Sequence, residues 1–167
     1  PVHGRALCCC DGLQLAGWRC RSPMGHDTCQ PSWAHRLRGG LGADIIDGRG
    51  GFDIADYATS DEAVTVDLSL GQGLGGEAAG DTLIDIEMLM GSVFADTFIG
   101  STGSDTFDGG YGQDVLSGGF GSDSYILGFD SDNDHATELG AASDIDRVLI
   151  KSGVLPKDVS VIRQGDD

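Results

Sequence analysis

Four aspartates recur at intervals of nine residues: Asp96, Asp105, Asp114 and Asp123. Each takes the sixth place of a nonapeptide that opens on glycine, in the consecutive segments GSVFADTFI, GSTGSDTFD, GGYGQDVLS and GGFGSDSYI. The eighth place is always apolar, filled by Phe98, Phe107, Leu116 and Tyr125. A shorter pair upstream, GGLGADIID from Gly39 and GRGGFDIAD from Gly48, repeats the scheme with Asp44 and Asp53 sixth and Ile46 and Ala55 eighth. Carboxylates stacked by such a period repel one another, at a cost of a few kcal/mol per pair if both stay ionised and partly desolvated. Lys and Arg are absent from residues 50 to 146, so the expected counter-charge comes from outside the chain. A cage of carboxylates and loop carbonyls is all oxygen and irregular, which suits calcium better than magnesium or zinc.

The elements that position these aspartates follow from the rest of each repeat. Its first six residues are mostly glycine, as a tight loop requires. Its last three alternate polar, apolar, polar, a minimal strand with one inward side chain that buries too little to survive alone. Such strands must stack. If two nonapeptides make one turn of a coil, strands eighteen residues apart pair in parallel, setting Phe98 on Leu116 and Phe107 on Tyr125. Asp96 then lies near Asp114, and Asp105 near Asp123.

Over all 167 residues, 10 Lys and Arg stand against 27 Asp and Glu, a net charge of −17 that repels nucleic acid and anionic membrane surfaces. With 28 glycines but only 4 prolines the chain is not collagen-like. The longest apolar run, Ala6 to Cys10, is too short for a transmembrane segment or a signal-peptide core. Residues 1–38 have a net charge of +3 and hold all five cysteines, whereas residues 39–167 carry 5 basic and 25 acidic residues and 24 glycines. A boundary is therefore placed near Gly39. Cys8, Cys9, Cys10, Cys20 and Cys29, with His26 and His35, lack CxxC or HxxxH spacing, so the first segment is read as a foreign or disordered piece and not as a zinc site.

The nonapeptide pattern GGxGxDxUx resembles the haemolysin-type, or RTX, calcium-binding repeat. That resemblance implies an all-β fold, a right-handed parallel β-roll with calcium between same-side loops of adjacent turns, in a protein exported by a type I secretion apparatus to the extracellular medium. Carried over by position, it implies side-chain ligands at Asp44, Asp53, Asp96, Asp105, Asp114 and Asp123. Backbone carbonyls would come from Gly40, Gly42, Gly51, Gly103, Gly110, Gly112, Gly119 and Gly121, for two to four calcium ions. GSVFADTFI departs from the pattern at Ser92 and Phe94, which points to a weakened or capping site, and Arg49 puts a cation beside Asp53. The implied organisation is a first repeat pair at 39–56, a strand-rich insertion at 57–90, a four-repeat roll at 91–126 and a truncated C-terminal β cap at 127–167. Within the insertion, Val64, Val66, Leu68 and Leu70 alternate with polar residues as a half-buried strand does.

Asp130, Asp132 and Asp134 imitate the start of an EF-hand, but His135 and Ala141 stand where its glycine and bidentate glutamate belong. This run closes the last coil or is ordinary surface. Asp61, Glu62, Glu77, Asp85 and Glu87 are read as solubilising surface. There is no HExxH, GxSxG or GxxxxGK motif, and the expectation is a module without catalytic activity of its own. It would be a calcium-dependent folding and secretion element, the alternatives being the tail of a secreted protease or lipase, or a structural part of a calcium-dependent adhesin.

Overall fold

The three-residue strands at the ends of the repeats decide the architecture. The computed structural model describes residues 34–128, 134–138 and 144–151. The cysteine segment through residue 33, Asp130, Asp132 and everything after Lys151 lie outside the described residues. Among the described residues the protein is all-β apart from one 3-10 turn, Gly76–Ala78. In chain order the strands are β1 (Arg36–Leu37), β2 (Ile45–Asp47), β3 (Ile54–Asp56), β4 (Thr65–Asp67), β5 (Gln72–Leu74), β6 (Thr82–Ile84) and β7 (Met88–Met90). They continue as β8 (Thr97–Ile99), β9 (Thr106–Asp108), β10 (Val115–Ser117), β11 (Ser124–Leu127), β12 (His135–Thr137) and β13 (Arg147–Ile150).

These strands form two sheets. One is wholly parallel in the order β1-β3-β7-β9-β11-β13, and the other runs β12-β10-β8-β4-β5-β6-β2. From β7 onward, successive strands go alternately to one sheet and the other. Strands eighteen residues apart therefore pair in register, Phe98 with Leu116 and Phe107 with Tyr125, as the ninefold period requires. Each eighth-place side chain points inward, with Phe98, Phe107 and Leu116 at 0% exposure and Tyr125 at 2%. In the parallel sheet this makes one row through Leu37, Ala55, Leu89, Phe107 and Tyr125. In the other, Val66, Phe98 and Leu116 stack likewise. The rows meet where the Phe98 and Phe107 rings lie 6.3 Å apart, and Phe107 in turn lies 5.6 Å from Tyr125. Full burial of each such side chain stabilises the fold by about 1.5–3 kcal/mol.

The stretch expected as an insertion, 57–90, contributes to both sheets, β4, β5 and β6 to one and β7 to the other. β5 lies antiparallel between β4 and β6, while the parallel sheet continues from β3 through β7 to β9 without interruption. Residues 82–90, TLIDIEMLM, hold two repeat-like strand triplets, joined by Asp85-Ile86-Glu87 in place of a six-residue loop. The strand expected over Val64 to Leu70 is shorter. β4 stops at Asp67, whose carboxylate accepts the Leu70 N–H and the Ser69 hydroxyl in a turn, and this leaves Leu70 exposed.

β1 lies on the N-terminal side of the Gly39 boundary. It buries Leu37 and brings Arg36 and Arg38 together on the carboxylate of buried Asp56. Burial pulls that carboxyl upward, and the two guanidiniums with the Ala58 N–H outweigh it, holding the group below its ordinary value. At the other end, Lys151 reaches Asp108 at 3.1 Å. The chain thus does supply cations to carboxylates at the ninth place, from segments outside the cation-free stretch. No helix among the described residues is long and apolar enough to cross a membrane.

Candidate calcium-binding loops

The sixth-place carboxylates form ladders along the stack. On one side the Val64 N–H donates to Asp96 Oδ1 at 2.7 Å, the Asp96 N–H to Asp114 Oδ1 at 2.8 Å, and the Asp114 N–H to Asp134 Oδ1 at 3.0 Å. On the other, the Asp105 N–H donates to Asp123 Oδ1 at 2.7 Å and the Asp123 N–H to Asp146 Oδ1 at 3.0 Å. Upstream, His35 donates to Asp53, Asp53 to Glu87, and Asp44 to Asp81 in the same manner. The expected neighbours Asp96 and Asp114, and Asp105 and Asp123, are thus brought together. A backbone donor takes one oxygen of each receiving carboxylate, so the repulsion expected from bare stacking is partly relieved by the chain itself.

The second oxygen separates the repeats into two kinds. Oδ2 of Asp44, Asp53, Asp114 and Asp123 is buried without a hydrogen-bond partner. In Asp96 and Asp105 it accepts the N–H of Ser92 or Ser101, each at 2.6 Å, and the serine hydroxyls add a further bond to each carboxylate. The difference lies at the second place of the repeat. Gly40, Gly110 and Gly119 take φ of 82°, 90° and 89°, and Arg49 holds the same conformation at 69°, whereas Ser92 and Ser101 do not enter that region. Where serine stands, the loop closes on its own aspartate; where the left-handed conformation is held, the oxygen is left for something else. The departure at Ser92 therefore acts through a donor supplied to Asp96. Arg49 does not face Asp53; its Nε lies 3.8 Å from Asp47. A nearer neighbour of Asp53 is His35, with Nδ1 at 2.7 Å from Oδ1.

The predicted carbonyl-bearing glycines fall in the same loops. Gly42, Gly51, Gly112 and Gly121 are also left-handed, while Gly103 is not and donates its N–H to Ser101 Oγ. Loops eighteen residues apart lie close enough that a Cβ on Gly112 would come within 2.5 Å of the Phe94 carbonyl oxygen, and one on Gly121 within 2.0 Å of that of Gly103. First-place glycines leave room for the aspartate itself, since a Cβ on Gly109 would stand 2.1 Å from Asp114 Oδ2. The loops thus gather carbonyl and orphaned carboxylate oxygens, a donor set for a hard cation. Neither the Asp81 nor the Glu87 position was legible as part of the ladder. Glu87, expected to be plain surface, is half-buried and accepts the Asp53 N–H at 2.8 Å, and both oxygens of Asp81 are taken, by the Asp44 N–H and the Tyr57 hydroxyl.

Burial pushes the carboxyls of Asp44, Asp96, Asp105, Asp114 and Asp123 up. Asp114 rises to about 7, through burial first and then the charges of Asp134 and Asp96, against the opposing Asp96 N–H. Asp105 rises to about 6, where burial and the charges of Asp123 and Glu87 outweigh the Ser101 donors. Without a cation, groups raised in the folded state give stability that is complete below their unfolded value near 4 and lost as pH climbs through 6 and 7. With calcium bound, protons compete for the same oxygens and the slope reverses. Melting temperatures from pH 5 to pH 7.5 are therefore expected to fall in calcium-stripped buffer and to rise in millimolar calcium. Parallel profiles in the two buffers would contradict this.

The family model for the RTX calcium-binding nonapeptide repeat matches the chain in four copies, over residues 36–55 and 90–125. No curated protein matches it. The first match starts at the β1 strand and the second ends at Tyr125, the last of the buried eighth-place residues of the array. The ladder of sixth-place carboxylates, the left-handed glycine loops and the buried rows behind them are thus those of a chain that carries RTX calcium-binding nonapeptide repeats.

Proposed function

We propose that the protein is a calcium-dependent folding module of an extracellular RTX protein exported by type I secretion, with no catalytic step of its own. In this reading the two sheets close as a right-handed β-roll, capped by the strands that follow the array. The observation that carries it is the set of orphaned, buried Oδ2 atoms of Asp44, Asp53, Asp114 and Asp123 in loops that supply no donor to them. Calcium, when bound, supplies the missing positive charge. The chain's own part is to hold Oδ1 by the backbone ladder, so that Oδ2 is already aimed, and to keep the loops narrow through glycine.

Before export, a chain with −20 net charge over residues 39–167 and one inward residue per strand has little to hold it folded, and an unfolded chain can be threaded through an exporter. Outside, calcium folds it. With a dissociation constant on the order of 10⁻⁴ M and calcium on the order of 10⁻³ M, each ion adds about 1.4 kcal/mol. Two to four ions then give a few kcal/mol, comparable with the stability of a small domain. Far-ultraviolet circular dichroism tests the reading during a calcium titration of stripped protein at pH 7.5. The β signal is expected to rise cooperatively between sub-millimolar and millimolar calcium. A signal already complete in stripped buffer would refute the coupling.

A further inference from the structure

We propose that Asp123 of the last matched repeat forms, with Glu138 and Asp146 from beyond the matched residues, a calcium site that fastens the segment after the array onto the last repeat. The inference rests on the reading that the repeats bind calcium, and adds two ligands the nonapeptide pattern does not contain. Pairing of Ser117 with Thr137 places Glu138 beside Gly118, where a repeat would have its first-place glycine. Pairing of Ser124 with Arg147 likewise places Asp146 beside Asp123. One carboxylate oxygen from each of the three lies within 4.8 Å of those of the other two.

The cluster is more than exposed acidity, because one member is sealed and unsatisfied. Asp123 is 0% exposed; its Oδ1 accepts the Asp105 N–H, and its Oδ2 has no partner. That orphan is aimed into the cluster. A Cβ on Gly118 would meet Asp123 Oδ2 at 2.3 Å, the Tyr125 hydroxyl at 2.5 Å and Glu138 Oε1 at 2.6 Å, so the three oxygens converge on the space that this glycine leaves open. The Tyr125 hydroxyl donates to Glu138 and orients it, while Asp146 is held by the Asp123 N–H. No Lys, Arg or His among the described residues is paired with any of the three carboxylates. Oxygen donors alone, three of them anionic and two on exposed residues open to solvent, suit calcium.

The site has a structural consequence. Every residue of β12 and β13 is exposed, so apolar burial does little to hold either strand against the array. An ion shared by Asp123, Glu138 and Asp146 would tie the end of β12 and the start of β13 to the last repeat, while three bare carboxylates would push them away.

The test uses the full chain, with Glu138→Gln alone and with Glu138→Gln plus Asp146→Asn. Calcium binding is followed by titration calorimetry, and hydrogen exchange is read at Val148–Ile150 and at Phe107 and Leu116. The double variant is expected to take up one calcium fewer, or to bind that ion at least tenfold more weakly. Calcium-dependent protection should be lost at Val148–Ile150 and kept at Phe107 and Leu116, which also reports that the array is folded. Should the double variant fail to fold, the single variant decides by the same readouts. Stoichiometry, affinity and protection equal to those of the unsubstituted chain would overturn this site alone. Absence of calcium uptake by the unsubstituted chain would overturn it together with the reading of the repeats.

Discussion

Replacing Asp114 by Asn is expected to stabilise the calcium-free protein while removing much of its response to calcium. Lifting that carboxyl from 3.8 to about 7 corresponds to about 4 kcal/mol against the ionised form in the folded state. Asn carries no charge, yet its carbonyl can still accept the Asp96 N–H that Asp114 Oδ1 accepts at 2.8 Å. In stripped buffer at pH 7.5 the D114N chain should therefore show more β signal than the unsubstituted one, and it should bind calcium at least tenfold more weakly. Asp114→Ala separates charge from hydrogen bonding. It relieves the same charge but leaves the buried Asp96 N–H without an acceptor, a loss of about 1–3 kcal/mol, and should be less stable than Asp114→Asn with or without calcium. If Asn and Ala lower the calcium-free β signal alike, the Asp114 carboxylate is not the strained group described here.

Phe107→Ala should cost about 3–5 kcal/mol, and added calcium should not rescue it. The ring is fully buried, paired across strands with Leu89 and Tyr125, and packed against Phe98 of the other sheet. It takes part in two ring contacts, with Phe98 across the sheets and with Tyr125 along its own row, so no neighbour can fill the gap without leaving its own row. Saturating calcium stabilises the substituted and the unsubstituted chain alike, so the difference between them remains. Phe120→Ala is the matched control. Phe120 lies in a loop at 57% exposure, and its replacement should change stability by no more than about 0.5 kcal/mol. Urea unfolding in saturating calcium compares the two; equal midpoints would contradict the placement of the core.

The register was legible in the sequence because three constraints share one period: glycine at the first place, aspartate at the sixth and an apolar residue at the eighth. With a three-residue strand only one side chain can face inward, so the spacing of Phe98, Phe107, Leu116 and Tyr125 leaves a single parallel pairing. What escaped lies where the period breaks. Met88-Leu89-Met90 continues the parallel sheet, but the three residues before it replace a glycine loop and erase the repeat signature. Glu87 stands at a sixth place with a longer carboxylate than the pattern names, and so resembled ordinary surface charge. Arg36 and Arg38 belong by charge to the basic segment and by pairing to the acidic one, which is why a boundary drawn from composition fell three residues after β1 began.

The division of the aspartates was half legible. Ser92 was visible as a departure from glycine, and Ser101 was equally available, but their effect is a matter of backbone sign. A residue that stays out of the left-handed region turns its N–H onto the carboxylate, and one that enters it does not. Composition and period cannot show that; a dihedral angle can. The same logic explains why Arg49, a cation by type, leaves Asp53 Oδ2 unsatisfied: it holds glycine's conformation and its side chain leans toward Asp47.

The most direct measurement is anomalous diffraction from crystals grown in calcium, with the wavelength chosen to raise the calcium signal. Peaks are expected against Asp114 Oδ2 and Asp123 Oδ2. Water or a protein donor on those oxygens, without an anomalous peak, would contradict the claim that these orphaned atoms exist to hold an ion.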